Sequence, residues 1–317
     1  DRVGGVFNHC KDQLMAGPWK WSRHGESGAW VSDLFPHTAR HVDKLCQVRS
    51  MVSESSNHAP ATYLMNTGAI LGGKPSLGSW VTYGLGTPNR NLPGFVLHEG
   101  PPVLNLEPPP AMAASQRDTI DLIQKLNARH ASARPGSPEL EGRIASYELA
   151  YRMQAEAIDV GEVSRESMAT QAAYGLHDAN KDKALYGRML LLGRRLLEKG
   201  VRFVQVYNAV DKLGWDGHDS SDDYHRRNAA QTDQPTAALL ADLSARGMLD
   251  DTLVVWAGEF GRTPMMQGNK GRNHNPYGFT IWMAGGGVRP GVIGATDEIG
   301  LRAVGEVQPV RNLHATI

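Results

Sequence analysis

Four short apolar runs limit what this chain can fold into. They are "CQVRSMV" (46–52), "VRFVQVYNAV" (201–210), "TLVVWAG" (252–258) and "FTIWMAG" (279–285). Each is strand-length and rich in β-branched or aromatic residues, and "VRFVQVYNAV" reads as a fully buried strand. Helical patterns lie between them. Phe35, Ala39, Val42 and Leu45 share one helix face, and Asn57 offers an N-cap to a helix through "HAPATYLMNTG", with Pro60 in its first turn. Segments 112–133, 138–157, 183–199 (closed by Gly200) and 223–247 also read as helices, whereas 73–110, rich in Gly and Pro, reads as loops. No internal repeat is visible. Strands alternating with helices predict an α/β fold in three layers, a mainly parallel sheet with helices on both faces, in one domain over residues 1–317.

In such sheets ligands bind beyond the carboxyl ends of the strands, so the polar residues just after each run matter most. "DKLGWDGHD" follows the second run with Asp211, Asp216, His218 and Asp219. "EFGRTP" follows the third with Glu259 and Arg262. "KGRNHN", shortly before the fourth, carries Arg272, Asn273 and His274, and "SESSNHAP" after the first carries His58. Imidazoles and carboxylates gathered at one sheet edge match the ligand set of a divalent metal ion such as zinc or manganese. Each member also has a plainer reading: "WDGHD" as a polar turn, Glu259 as a partner of Arg262, His58 as a residue packed at a helix end. The partial positive charge of a helix N-terminus favours a neutral His58 ring, the form that binds metal or attacks phosphorus.

Charge narrows the partners. Lys plus Arg (33) equal Asp plus Glu (33), and no long basic run occurs, which argues against nucleic acid while leaving room for a local anion site. No apolar run is long enough to span a bilayer. Cys10 and Cys46 have no metal-type spacing and read as unpaired thiols, with a disulfide as the alternative. The chain starts at Asp1 and stops in "NLHATI", the opening of a helix, so both ends read as cut.

"RHGES" (23–27) resembles the signature of histidine phosphatases and cofactor-dependent phosphoglycerate mutases, in which the His, here His24, takes up a phosphoryl group. That chemistry needs a buried strand before the His. "AGPWKWS" instead brings Gly17, Pro18 and Lys20.

"RHGESGAWVSDLFPHTARHVDKLCQVRSM", "NHAPATYLMNTG", "LGSWVTYGLG", "LPGFV", "LDDTLVVWAGEFGRTP", "GRNHNPYGFTIWMAGGGVRPG" and "LHATI" together resemble the domain-of-unknown-function 1501 family, a bacterial family grouped with the alkaline phosphatases and sulfatases. "RHGES" falls inside this likeness, so the mutase match reads as coincidence and His24 as a residue lining the site. The resemblance implies an alkaline phosphatase/sulfatase-like fold in which metal ions at strand ends clamp an ester while a nucleophile at a helix N-terminus attacks. It puts His58 at the nucleophile position, with Thr62 where sulfatases carry an Arg. Glu259 and Phe260 fall at an Asp-His metal pair, Asp216 and His218 at the other pair, and His274 at a late metal-binding His. The sequence departs from the pattern at Gly5 and Asn8, where acids are expected, and at Asn273, where Asp is more usual. A Gly-rich insertion and a segment after "HATI" are missing. The resemblance also implies export to the periplasm.

The resulting expectation is a metal-dependent hydrolase of phosphate or sulfate esters on small molecules or glycans. Asp216, His218, Glu259 and His274 would hold the ion (zinc, manganese or calcium), with His58, Arg262 and Arg272 in catalysis and His24 and Asn273 at the substrate. The alternative is a non-catalytic module on the same fold that binds an anionic ligand or glycan.

Overall fold

A computed structural model describes residues 10–98, 115–208 and 214–317. Gly5, Asn8 and Asp211 lie outside these residues. In chain order the elements are β1 (Cys10–Leu14), β2 (Trp21–His24), β3 (Ala29–Ser32), β4 (Leu45–Val52), α1 (His58–Thr67), α2 (Leu77–Leu85), β5 (Phe95–His98), α3 (Gln116–Ser132), α4 (Pro138–Gly161), α5 (Met168–Ala173) and α6 (Lys181–Glu198). Then come β6 (Phe203–Val206), α7 (Ser221–Ala245), β7 (Val254–Trp256), β8 (Gly261–Gln267), β9 (Gly271–Asn275), β10 (Phe279–Ala284), β11 (Gly291–Ile293), β12 (Ala295–Thr296), β13 (Ala303–Val304), β14 (Gln308–Pro309) and α8 (Val310–Thr316).

The fold is mixed α/β, and its main sheet runs β11-β4-β10-β7, with β14 also on β4. Side chains alternate across it, as the pleat requires. On one face Cys46, Val48, Met51, Phe279, Ile281 and Met283 pack against Leu64 of α1 and Val310 and Leu313 of α8. On the other, Leu45 and Ala284 meet Leu240 and Leu243 of α7. Cys46 is unpaired and buried in β4.

The expected mainly parallel sheet is corrected here. β11 and β14 run parallel to β4, but β10 runs antiparallel to both β4 and β7. A helical crossover is needed only to bring a strand back parallel. After β7 the chain instead makes the β8–β9 hairpin, antiparallel with β1 on its outer edge, and three residues later enters β10 from the end at which it left β7. β10 therefore runs back beside β7.

Other expectations shift locally. The helix expected over 35–45 is a 3-10 helix, Thr38–Lys44, whose start is held by the buried Asp233 carboxylate accepting from His37 N (2.7 Å) and Thr38 N (2.8 Å). Asn57 precedes α1 as expected, but its side chain makes no capping bond. The 73–110 loop contains α2 and β5. Gly78, which reads as a breaker, is a contact residue: a Cβ there would sit 2.7 Å from Phe95 and 2.8 Å from Phe203. The small residue lets α2 lie directly on the parallel β5–β6 pair. β6 is half-buried rather than buried. It and β7 line a cavity of about 1970 Å3 that also receives Leu190 and Leu197 of α6 and Leu239 and Leu243 of α7.

One buried charge ties the helices together. Arg194, 1% exposed on α6, donates to Glu198 (2.5 Å) and faces Glu166 (2.8 Å) and Asp242 of α7 (3.1 Å) in ionic contacts rather than aligned hydrogen bonds. Arg195 adds a second contact to Glu166 (2.5 Å), and Tyr174 donates to Asp242 (3.1 Å). Burial and then the Asp242 charge push the Tyr174 phenol well above its ordinary value, so it stays a donor. Removing one partner of such a cluster strands the others without compensation. Arg194→Ala is expected to cost about 3–5 kcal/mol in urea unfolding at neutral pH. A loss below about 1 kcal/mol, the size of an exposed ion pair, would refute this account.

Candidate functional site

The antiparallel return of β10 brings its amino end to the edge where β4 and β7 end. Ser53, just past β4, donates its backbone N–H to Pro276 O, just before β10 (2.8 Å). That contact sets His58, at the first turn of α1, beside His274, on β9. Their rings meet edge to face at 4.4 Å, and Phe260 stacks on the His274 ring at 4.4 Å.

The segment 214–220 is laid onto β9 by its backbone. Arg272 N donates to Gly217 O (3.1 Å) and Ser221 N to Lys270 O (3.0 Å), and Asn228 of α7 donates its side-chain amide to Gly214 O. The approach is close enough that a Cβ on Gly271 would overlap the His218 carbonyl. Only a glycine at this place on β9 leaves room for the loop that carries Asp216 and His218.

Asp216 is the meeting point. Its Oδ1 lies 2.9 Å from His218 Nε2, 3.1 Å from His274 Nε2 and 2.5 Å from an Arg262 Nη. Its Oδ2 lies 3.3 Å from His58 Nε2. The Nε2 atoms of His218 and His274 are 3.0 Å apart. One ligand atom each from His58, Asp216 and His274 all lie within 4.8 Å of one another. Burial works to raise the Asp216 carboxyl, but the Arg262 hydrogen bond and charge, then His274 and His218, outweigh it and hold it well below the usual carboxylate range. Burial likewise takes His274 below its ordinary value, outweighing its hydrogen bonds to Ser56 and Asp216.

The far side of each ring decides what these contacts are. His274 Nδ1 faces the Ser56 carbonyl (2.6 Å), so it carries a proton, and in the neutral ring Nε2 carries the lone pair. His218 Nδ1 faces Gln267 Oε1 (2.8 Å) and His58 Nδ1 faces Glu259 Oε1 (2.6 Å), with the same consequence. In their neutral forms these three rings would turn Nε2 lone pairs toward one carboxylate with no hydrogen between them. A cation among them turns this repulsion into coordination, and the donor set of imidazole nitrogen and carboxylate oxygen fits a divalent ion.

Five of the residues singled out in the sequence meet in this cluster: His58, Asp216, His218, Glu259 and His274. Glu259 does so through the His58 ring rather than by joining the other acid. Arg262 joins through Asp216. Arg272 lines the same cavity, but two of its nitrogens donate to the carbonyls of Thr263 (2.8 Å) and Met15 (2.6 Å), fastening β9 to its neighbours. Asn273 Oδ1 accepts from His274 N (2.8 Å), a bond that sets the backbone of the ligand-like His. His24 ends the hairpin strand β2, whose first three residues are exposed, and hydrogen-bonds Ser22 (2.8 Å). Asp219 is exposed. Gln267 and the Ser56 carbonyl escaped the sequence reading, because nothing in a polar strand end or a main-chain oxygen marks it in advance. Phe260 was visible only as the neighbour of Glu259.

The described residues thus define a mixed α/β protein with a histidine–carboxylate cluster at one sheet edge. Residues 3–104 and 98–317 match the family described as Protein of unknown function (DUF1501), and the chain belongs to that family. No curated protein and no solved structure matches it. Among the described residues no helix is long and apolar enough to cross a membrane.

His225, on α7, sits behind the cluster with its ring 5.9 Å from Trp215. Burial first, then the charges of Arg262 and Arg272, push it down to about 4 from 6.5. As pH falls from 6.5 to 4 the unfolded chain binds this proton and the fold does not, so stability is full above that window and lost through it. The loss assignable to this ring is expected to reach about 2–3 kcal/mol. Urea unfolding at pH 7 and at the acid end, compared with His225→Asn, checks it: the variant should lose less on acidification, and equal losses would exclude this role.

Proposed function

We propose that the protein is a metal-dependent hydrolase of phosphate or sulfate esters, related in fold and chemistry to the alkaline phosphatases and sulfatases, and exported to the periplasm. The observation that carries this reading is the convergence of three imidazole Nε2 atoms on Asp216. Asp216, His218, His274 and His58 would hold a divalent ion, and an imidazole majority suits zinc or manganese better than calcium. When bound, such an ion polarises an ester oxygen and makes a nucleophile of water at neutral pH.

The chain's own groups divide the remaining work. Both nitrogens of His58 already face carboxylates, which supports a ligand role over the nucleophile role that the family likeness implies. Glu259 holds the His58 ring in one tautomer. Arg262 is half in the cluster and lines the cavity, so its forked guanidinium can hold the ester's anionic oxygens. Arg272 and Asn273 serve as supports for the strand that presents His274. The wide cavity accommodates a glycan as well as a small ester.

Calorimetric titration of the chelator-treated protein with zinc and manganese, followed by assay on aryl phosphates and sulfates, tests the reading. Asp216→Asn and His274→Ala should weaken metal binding about a hundredfold or more while circular dichroism stays native, and should abolish turnover. Metal uptake without turnover of any ester would favour the non-catalytic binder of an anionic ligand or glycan.

A further inference from the structure

The three imidazoles are backed by three different oxygens. His274 has a main-chain carbonyl, His58 the Glu259 carboxylate, and His218 the neutral side-chain amide of Gln267. We propose that Gln267 is a positioning residue that fixes His218 as a metal ligand through Nε2 and keeps the site's net charge positive for an anionic substrate. The proposal rests on the metal-dependent reading above and deepens it.

The placement of Gln267 is well determined. It ends β8, the middle strand of the β1-β8-β9 sheet, and is paired with Cys10 on one side and Gly271 on the other. Gly271 is the residue over which the His218 backbone lies. The same short stretch of sheet therefore positions the ring from its backbone and from its Nδ1. With Nδ1–H donated to Oε1, a neutral ring presents its lone pair at Nε2, toward Asp216 Oδ1 and His274 Nε2, as a metal ligand would. An apolar side chain at 267 would release the tautomer and let Nε2–H donate to Asp216, which removes a ligand.

The neutrality of the amide matters separately. Asp216 and Glu259 together balance a divalent ion, which leaves the Arg262 charge over for an incoming anion. A carboxylate at 267 would strengthen the hold on His218, as Glu259 does on His58, but would offset the Arg262 charge and leave only that of Arg272, farther along the cavity wall. Metal affinity and anion affinity should then move in opposite directions, which a purely structural role for Gln267 does not produce.

The test uses the whole chain and two substitutions. In Gln267→Leu, zinc affinity by calorimetry should fall about 10- to 100-fold, and the visible spectrum of the cobalt-loaded protein should change as a nitrogen ligand is lost. In Gln267→Glu, zinc affinity should be retained or increased, while binding of inorganic phosphate or sulfate to the zinc-loaded protein should weaken about tenfold. Zinc affinity and cobalt spectrum unchanged in the Leu variant, or phosphate and sulfate binding unchanged in the Glu variant, would overturn the proposal, as would a wild-type chain that takes up neither metal. If the Leu variant fails to fold, the Glu variant still decides. Wild-type protein that binds zinc and phosphate but cleaves no ester would sink the hydrolase reading and leave the role of Gln267 standing.

Discussion

The site depends on one carboxylate, Asp216, being held where four cationic or lone-pair groups reach it. Opposite charge alone accounts for Arg262, whose contact keeps Asp216 ionised. For the imidazoles it would do so only in their protonated form, because in the neutral ring a hydrogen bond on Nδ1 leaves Nε2 without a proton. Lone pairs about 3 Å apart repel, and a protein does not build three such approaches around one acid without something to offset them. A proton shared by the whole cluster would satisfy only one of the pairs. A divalent ion would satisfy all of them at once, and His58, Asp216 and His274 bring ligand atoms close enough together to hold one.

Topology makes this convergence possible. In a fully parallel sheet, residues that precede a strand lie at the edge opposite to those that follow one. His274 precedes β10, so it meets Glu259 and His58 only because β10 runs against its neighbours. The β8–β9 hairpin that forces this reversal also supplies Arg262, Gln267 and the glycine on which the Asp216 loop rests. The departure from the expected sheet and the assembly of the site thus have one cause.

That also explains what could be read in advance. The apolar runs at 46–52 and 279–285 became β4 and β10, and the polar stretches beside the runs did supply the cluster, because burial and strand-end placement are written in local composition. Strand direction is not, since it depends on how the chain travels between two runs. "GRTPMMQ" carries a Pro and little alternation, so β8 was illegible, and with it Gln267. Glu259 was visible as an acid at a strand end, but whether an acid joins Asp216 or backs a ring depends on a side-chain reach that spacing does not encode. Arg272 and Asn273 were picked out by proximity in sequence to His274, and in β9 alternation turns neighbours to different duties.

The half-buried strands carry the argument one step further. "VRFVQV" and "VVW" have the composition of strands covered on both faces, yet β6 and β7 border the cavity that reaches Asp216, and Val255 is 36% exposed. An apolar wall beside a charged end would suit the proposed anionic ester if it carries a sizeable uncharged body: the wall would cover the body, while Arg262 and the cluster would take the charge. A substitution such as Val255→Ser that wets the wall should therefore weaken binding of an ester with an apolar body, measured by calorimetry, while zinc uptake at the exposed cluster stays unchanged.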